Sequence, residues 1–232
     1  MTIKENIDTI LEKVNRACEK SNRSSNEIKL IAVTKTVDIN RILEALKCNI
    51  KSIGENKVQE MTEKYRHIGN MAEWHMIGHL QTNKVKHIID KVSMIQSVDS
   101  LKLMNEINKR CKDIDKVIDI LIEINIGRES TKYGIDPSDI LNFIKEAPKY
   151  ENIRVKGLMT VAPALANKEE VRPYFKEMKK IFDELKDLSI KNVEMKYLSM
   201  GMTGDFEIAV EEGSNMIRIG TGIFGPRDYS KK

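Results

Sequence analysis

The sequence predicts a closed (β/α)₈ barrel of the TIM type with an extra N-terminal helix, residues 1–232 forming one domain. Three observations predict it. Short apolar runs alternate with amphipathic helical stretches eight times in 232 residues, and repeated βα units imply a parallel sheet. No linker or composition shift marks a second domain. Two glycine-rich segments follow the seventh and eighth apolar runs, where such barrels often bind phosphate. An open doubly wound sheet is the structural alternative.

The leading helix is read from Ile3, Ile7, Ile10, Leu11 and Val14, which recur at helical spacing. Residues 28–33 form the first strand and 37–48 a helix. A short strand at 51–53 precedes a helix at 57–67. The third strand, 74–77, precedes a helix at 83–89. The fourth, 94–97, precedes a helix at 100–111 with Ser100 as its N-cap. The fifth, 117–125, is longer. Asp136-Pro137 opens the next helix, proline being tolerated in a first turn, and it runs to about 147. Strand six is 153–159, followed by the longest helix, 169–188. Strand seven is 195–199, followed by a short helix at 205–212. Strand eight is 216–219.

Composition narrows the function classes. Hydrophobic residues make up 41% and charged residues 32%, which suits a soluble globular chain with a core. Net charge is +4 with Lys and Glu interspersed. No basic stripe with interleaved aromatics points to nucleic acid. Cys18, Cys48 and Cys111 are far apart with no C-x-x-C. That argues against a zinc site or a disulfide framework and fits a reducing cytosol. No signal peptide is read at Met1, and no apolar run approaches the ~18 residues of a membrane span. A cytoplasmic protein without membrane contact is expected.

Gly220-Thr221-Gly222-Ile223-Phe224-Gly225 spells G-x-G-x-x-G. A dinucleotide site also needs a following helix, a second strand and an acidic residue ~20 positions on, and only seven residues follow Gly225. The physics under the motif survives: glycines let backbone N–H groups approach a phosphate. The Ser199–Gly204 segment is also glycine-rich and carries hydroxyls at Ser199 and Thr203. Together the two predict a phosphate cradle, the alternative being glycines that only make tight turns.

Lys35 ends the apolar run Leu30-Ile31-Ala32-Val33. A lysine in apolar surroundings has a depressed pKa and is a nucleophilic amine suited to a Schiff base. The alternative is a strand-end lysine reaching solvent. Alternation in strand eight puts Met216 and Arg218 on one face and Ile217 and Ile219 on the other. Arg218 is therefore expected inside the barrel near its top, where a buried guanidinium needs a partner. A structural ion pair with an inward Glu is the alternative. His75 and His79 straddle a strand end, which argues against a metal pair. Residues 127–134 lack the order of a phosphate-binding loop and read as a surface loop or a flap. The twelve methionines read as core filler, and Tyr65, Tyr150 and Tyr174 as packing. A Schiff-base lysine, a phosphate cradle and an inward arginine together suit a phosphorylated aldehyde, of which pyridoxal 5′-phosphate is the common cofactor.

These stretches resemble the pyridoxal 5′-phosphate homeostasis proteins. The matching segments are Leu30–Lys35, Gly54–Glu60, Trp74–Lys84, Gly157–Thr160, Ser199–Asp205 and Ile217–Gly225, in family order along the chain. The resemblance implies the barrel domain of alanine racemase and related fold-type III enzymes. It implies Lys35 as the Schiff-base lysine, Asn56 beside the cofactor ring, and Arg218 at the ring nitrogen. It implies a phosphate site formed by Ser199 with Gly201, Gly220, Thr221 and Gly222. Thr34 and Thr203 stand where the family often has Ser, and Asn215 where it has Thr.

The family is thought to buffer and deliver the cofactor, so a non-catalytic carrier is expected, with pyridoxal-phosphate-dependent apo-enzymes as partners. Two alternatives stand beside it: a small fold-type III enzyme such as an amino-acid racemase, and a cofactor-independent aldolase acting on a sugar phosphate. Racemisation needs an acid/base on each face of the α-carbon. The related racemases bring a tyrosine for this from an extra domain, which this sequence does not show. Only Tyr133 or Tyr229 is expected to substitute, if a loop or the tail folds over the site. A monomer is expected.

Overall fold

Eight parallel strands pair in sequence order, and the eighth returns to the first to close the barrel. The computed structural model describes residues 1–226. The strands are β1 (Lys29–Val33), β2 (Ser52–Glu55), β3 (Glu73–Met76), β4 (Met94–Val98), β5 (Ile118–Glu123), β6 (Ile153–Met159), β7 (Val193–Met202) and β8 (Met216–Ile219). The helices are α1 (Ile3–Lys20), α2 (Ile39–Lys47), α3 (Val58–Ile68), α4 (Leu101–Lys112), α5 (Ile140–Ile144), α6 (Arg172–Lys186), α7 (Phe206–Glu211) and α8 (Thr221–Phe224).

Period-two alternation sorts the strand residues into two cores. Ile31, Met94, Leu121, Met159 and Met216 form one cluster that fills the lumen. Their chain neighbours Ala32, Ile95, Ile120, Leu158 and Ile217 belong to the larger cluster under the helices. Three of the five lumen residues are methionine, whose unbranched thioether fills an irregular space. The expected faces of β8 hold: Met216 is in the lumen and Ile217 under the helices.

Helix α1 starts with a capping box, Thr2 accepting from Glu5 N while Glu5 reaches back to Thr2 N. It buries Ile3, Ile7, Ile10 and Val14, whereas Leu11, expected on that face, is exposed. It lies outside the βα repeat, against α7 and α8. Asn6 Nδ2 donates to Ile223 O at 2.8 Å, and Lys13 and Lys20 pair with Glu207 and Glu211. Ser100 caps α4 as expected, accepting from Leu103 N.

Three expectations need correction. Residues 82–87 form a 3₁₀-helix, not an α-helix, and Gln81 before them makes no side-chain cap. The helix expected at 136–147 is broken into Pro137–Asp139 (3₁₀), Ile140–Ile144 (α) and Ala147–Lys149 (3₁₀). Strand β7 runs on to Met202 instead of stopping at Ser199. Its pairing with β8 shifts register between Ser199 and Met202, where Gly201 has φ 94°. Glycine absorbs the bulge, so the strand continues through what reads as a loop.

Candidate functional site

The C-terminal ends of the strands bring the expected residues to one end of the barrel. Thr34, after β1, is fully buried. Its N–H donates to Gly54 O at 3.0 Å and its hydroxyl to Glu55 Oε1 at 2.6 Å. Val37 N donates to Thr34 O at 3.0 Å, so Lys35 and Thr36 are the middle residues of a tight turn. Thr36 has φ 62°, a conformation that turns usually assign to glycine or asparagine. Lys35 is half-buried.

Beneath this turn lies an ionic cluster that sequence reasoning missed. Lys64, on the buried face of α3 with Val58, Met61 and Ile68, donates to Thr34 O and to Glu55 Oε1, both at 2.7 Å, and to Glu60 Oε2 at 3.0 Å. Glu60 Oε2 also accepts Thr36 N at 2.8 Å. Burial pushes the Glu55 carboxyl above its usual range against the pull of Lys64. Burial acts the same way on Glu60, but the Thr36 N–H and Lys64 outweigh it and hold that carboxyl low. A lysine on an otherwise apolar helical stripe was the available signal. Glu55 reads as loop because the apolar run ends at Ile53, whereas β2 extends through Glu55.

Asn56 is half-buried directly after β2. Its Oδ1 is buried with no hydrogen-bond partner among the described residues.

Arg218 enters the lumen as its alternation predicts and is buried. Its Nη1 donates to Ser199 Oγ at 2.6 Å and its Nη2 to Thr160 O at 2.7 Å. Ser199 Oγ in turn donates to Gln96 Oε1 at 2.7 Å. Gln96 Nε2 lies 2.9 Å from His75 Nδ1. The amide nitrogen can only donate, so Nδ1 accepts and a neutral His75 carries its proton on Nε2. Burial lowers the His75 pKa and favours that neutral form. Ser199 therefore has its hydroxyl engaged on both sides, beneath the guanidinium.

Burial lowers Arg218 to about 10, with Glu123 and Asp205 opposing. Glu123 ends β5, and its Oε2 is buried without a partner among the described residues. Burial pushes its carboxyl up to about 7, assisted by Asp99 and opposed by Arg218. No salt bridge between Arg218 and Glu123 occurs among the described ion pairs; the arginine's close partners are a hydroxyl and a carbonyl. Glu123 and Gln96 were missed although each interrupts an apolar strand at a lumen-facing register.

The glycine segments meet as expected. Gly222 N donates to Thr203 Oγ1 at 3.2 Å, tying the β8 segment to the β7 loop. Gly220 and Gly222 are half-buried and Thr221 exposed. An added Cβ at Gly201 would lie 2.6 Å from Ala209 Cβ, so this glycine also serves close packing. Arg41 of α2 donates to Phe224 O. With Asn6 it fixes α8 from outside.

The two histidines part. His75 lies in the lumen, while exposed His79 is 3.0 Å from Asp99 Oδ2 and stacks on Tyr133 with ring centroids 3.6 Å apart. The 127–134 loop thereby reaches the loop after β3. It is tied down by Asn125 Nδ2 to Glu129 O at 2.8 Å and by Lys132 to Ala162 O at 3.2 Å. Tyr229 lies outside the described residues.

Comparison with known proteins gives a consistent result. The family model described as "Alanine racemase, N-terminal domain" matches residues 6–228. A pyridoxal phosphate homeostasis protein of Aquifex aeolicus is 44% identical over 97% of this chain and 98% of its own. A solved structure described as an unknown protein from Bifidobacterium adolescentis superposes with TM-score 0.91 at 31% identity, over 96% of this chain and 94% of that one. PipY of Synechococcus elongatus, solved with pyridoxal phosphate bound, gives 0.83 at 26% identity, over 97% and 100%. The closed barrel and these full-length likenesses place the chain in the pyridoxal phosphate homeostasis protein family, on the fold of the alanine racemase N-terminal domain.

Proposed function

We propose that the chain holds pyridoxal 5′-phosphate as a Schiff base on Lys35 and serves in keeping and delivering that cofactor, without turning over an amino acid. The observation that carries this reading is the convergence of the Lys35 turn, Asn56, Arg218 and the Gly220–Gly222 segment at one end of the barrel. The bound relative from Synechococcus elongatus supports it.

The residues fit the group. The Asn56 amide oxygen is buried and has no hydrogen-bond partner among the described residues, as a side chain that takes a ligand would be. When bound, pyridoxal 5′-phosphate supplies an aldehyde for an amine and an electron-withdrawing ring. Lys35 supplies the amine. Gly201, Gly220 and Thr221 would supply backbone and hydroxyl donors for the phosphate, and Gly222 would add its N–H on releasing Thr203 Oγ1. Ser199 could give its hydroxyl proton to the phosphate only by releasing Gln96 Oε1, to which it now donates; as it stands, it orients Arg218. The Arg218 guanidinium, still cationic at neutral pH, would be the group beside the ring nitrogen, and there it would keep that nitrogen unprotonated because two positive charges repel. That weakens the ring as a sink for a carbanion, which suits holding over turnover. We propose a single domain acting as a monomer in the cytoplasm. Apo-enzymes needing the cofactor are the recipients.

Glu123 favours a second reading, a small racemase-type enzyme. A carboxyl pushed to about 7 at the site end of a strand is suited to proton transfer. One experiment separates the readings. The protein with added pyridoxal 5′-phosphate should show a visible absorption band that Lys35→Ala abolishes. Exchange of an amino acid's α-proton with solvent should run no faster than with free cofactor. Faster exchange, lost in Glu123→Gln, establishes the enzyme instead.

A further inference from the structure

We infer that Lys64 and Glu60, one turn apart on α3, are positioning residues that hold Lys35 by gripping the backbone on either side of it. This rests on the proposed role of Lys35 and deepens it.

The turn is short and strained. Thr34 and Val37 close it, and Thr36 stands inside it with φ 62°. For a β-branched residue that conformation is a genuine outlier, and it persists only when its surroundings impose it. Two side chains impose it here. Lys64 Nζ holds the carbonyl before Lys35, at Thr34 O, and Glu60 Oε2 holds the amide after it, at Thr36 N. The two side chains also bond each other at 3.0 Å, so the grip is a single unit.

Burial shows that the grip is built. Lys64 is buried, and an ammonium is rarely buried without strong partners. Glu55 is fully buried and supplies the counter-charge, itself held by the Thr34 hydroxyl. The cluster thus binds Thr34 through its side chain and its carbonyl, and Thr36 through its amide. Lys35 is the one residue between them. Its amine needs a fixed approach to an aldehyde, and misplacement by about 1 Å can cost on the order of a hundredfold in rate. A surface salt bridge at this spacing would explain the Lys64–Glu60 contact, but it would not explain why both residues end on backbone atoms flanking Lys35.

The test uses Glu60→Ala, Glu60→Gln and Lys64→Met in the full chain. Lys64→Met leaves Glu55 buried without its counter-charge and can fail to fold. Glu60→Ala is the decisive variant, because Glu60 is only partly buried and alanine suits a helix. Two quantities are read. Without cofactor, amide hydrogen exchange at Thr36 reports the turn. With pyridoxal 5′-phosphate, the rate of borohydride-trapped adduct at Lys35 reports the amine. Glu60→Ala should speed Thr36 exchange and slow the adduct about tenfold or more, with an unchanged melting temperature. Glu60→Gln, which keeps an oxygen for Thr36 N, should recover most of both. Adduct formation in Glu60→Ala at the parent rate overturns the inference while leaving Lys35 as the attachment point. No adduct in the parent protein overturns the proposed function and this inference with it.

Discussion

At the scale of the residue, the lumen shows how a buried cation is kept without a carboxylate in contact. Arg218 gives hydrogen bonds to Ser199 Oγ and Thr160 O, and the Ser199 hydroxyl in turn donates a hydrogen bond to Gln96 Oε1. Ser199→Ala removes one acceptor from the arginine and leaves the Gln96 oxygen without its donor. A buried polar group stripped of its partner costs ~1–3 kcal/mol, so this variant should lose that much in a urea titration. No loss would mean that the thread from Arg218 to His75 is not structural.

Glu123 makes a prediction in pH. Its carboxyl sits at about 7 against an ordinary 4.5, so between those values the folded state holds a proton that the unfolded state has released. Stability contributed by that proton is complete below the unfolded value and is lost as pH rises toward 7. Glu123→Gln mimics the protonated form and should be the more stable protein at pH 8, by up to about 3 kcal/mol, with the difference vanishing near pH 4. Parallel stability curves from pH 4 to 8 would contradict the burial account.

At the scale of the element, β6 and β7 depend on a glycine. Gly157 has φ 141°, and an added Cβ would lie 1.8 Å from Tyr197 O. The register between these strands shifts beside it, between Val155 and Gly157. Gly157→Ala should therefore cost about 4 kcal/mol or more and lower the unfolding midpoint sharply; a variant that melts with the parent would show that the strands part easily here.

The elements also show what can be read from the sequence. Strands β6 and β8 fall where their apolar runs predict, and Arg218 points inward because period-two alternation leaves one choice. The extension of β7 was hidden because Gly201 reads as a turn, although it serves a bulge within a strand. The 3₁₀ segment after β3 was hidden because Val85, Ile88 and Ile89 mimic a helical stripe without a cap. The Lys64–Glu55–Glu60 cluster was out of reach for a different reason. Its members meet only because the end of β2, the start of α3 and the Lys35 turn converge in space. The i,i+4 spacing of Glu60 and Lys64 shows only a helical pair; that it meets Glu55 and the Lys35 turn is not encoded in any spacing.

At the scale of the whole molecule, closure is what makes the site. Because β8 pairs with β1, Ile31 lies opposite Arg218 and Ala32 opposite Ile219, so the Lys35 turn and the Gly220 segment leave adjacent strands. Helix α1 then braces the segment from outside through Asn6 and Ile223. Asn6→Ala should leave the fold intact but weaken retention of pyridoxal 5′-phosphate severalfold, measured by dialysis; unchanged retention would separate α1 from the cradle. The central claim, that Lys35 carries the cofactor, is tested most directly by locating the bond. The protein is incubated with pyridoxal 5′-phosphate and reduced with borohydride, and its peptides are weighed by mass spectrometry. The account predicts a single reduced pyridoxyl group on Lys35. Label spread over surface lysines, with Lys35 unmodified, would contradict it.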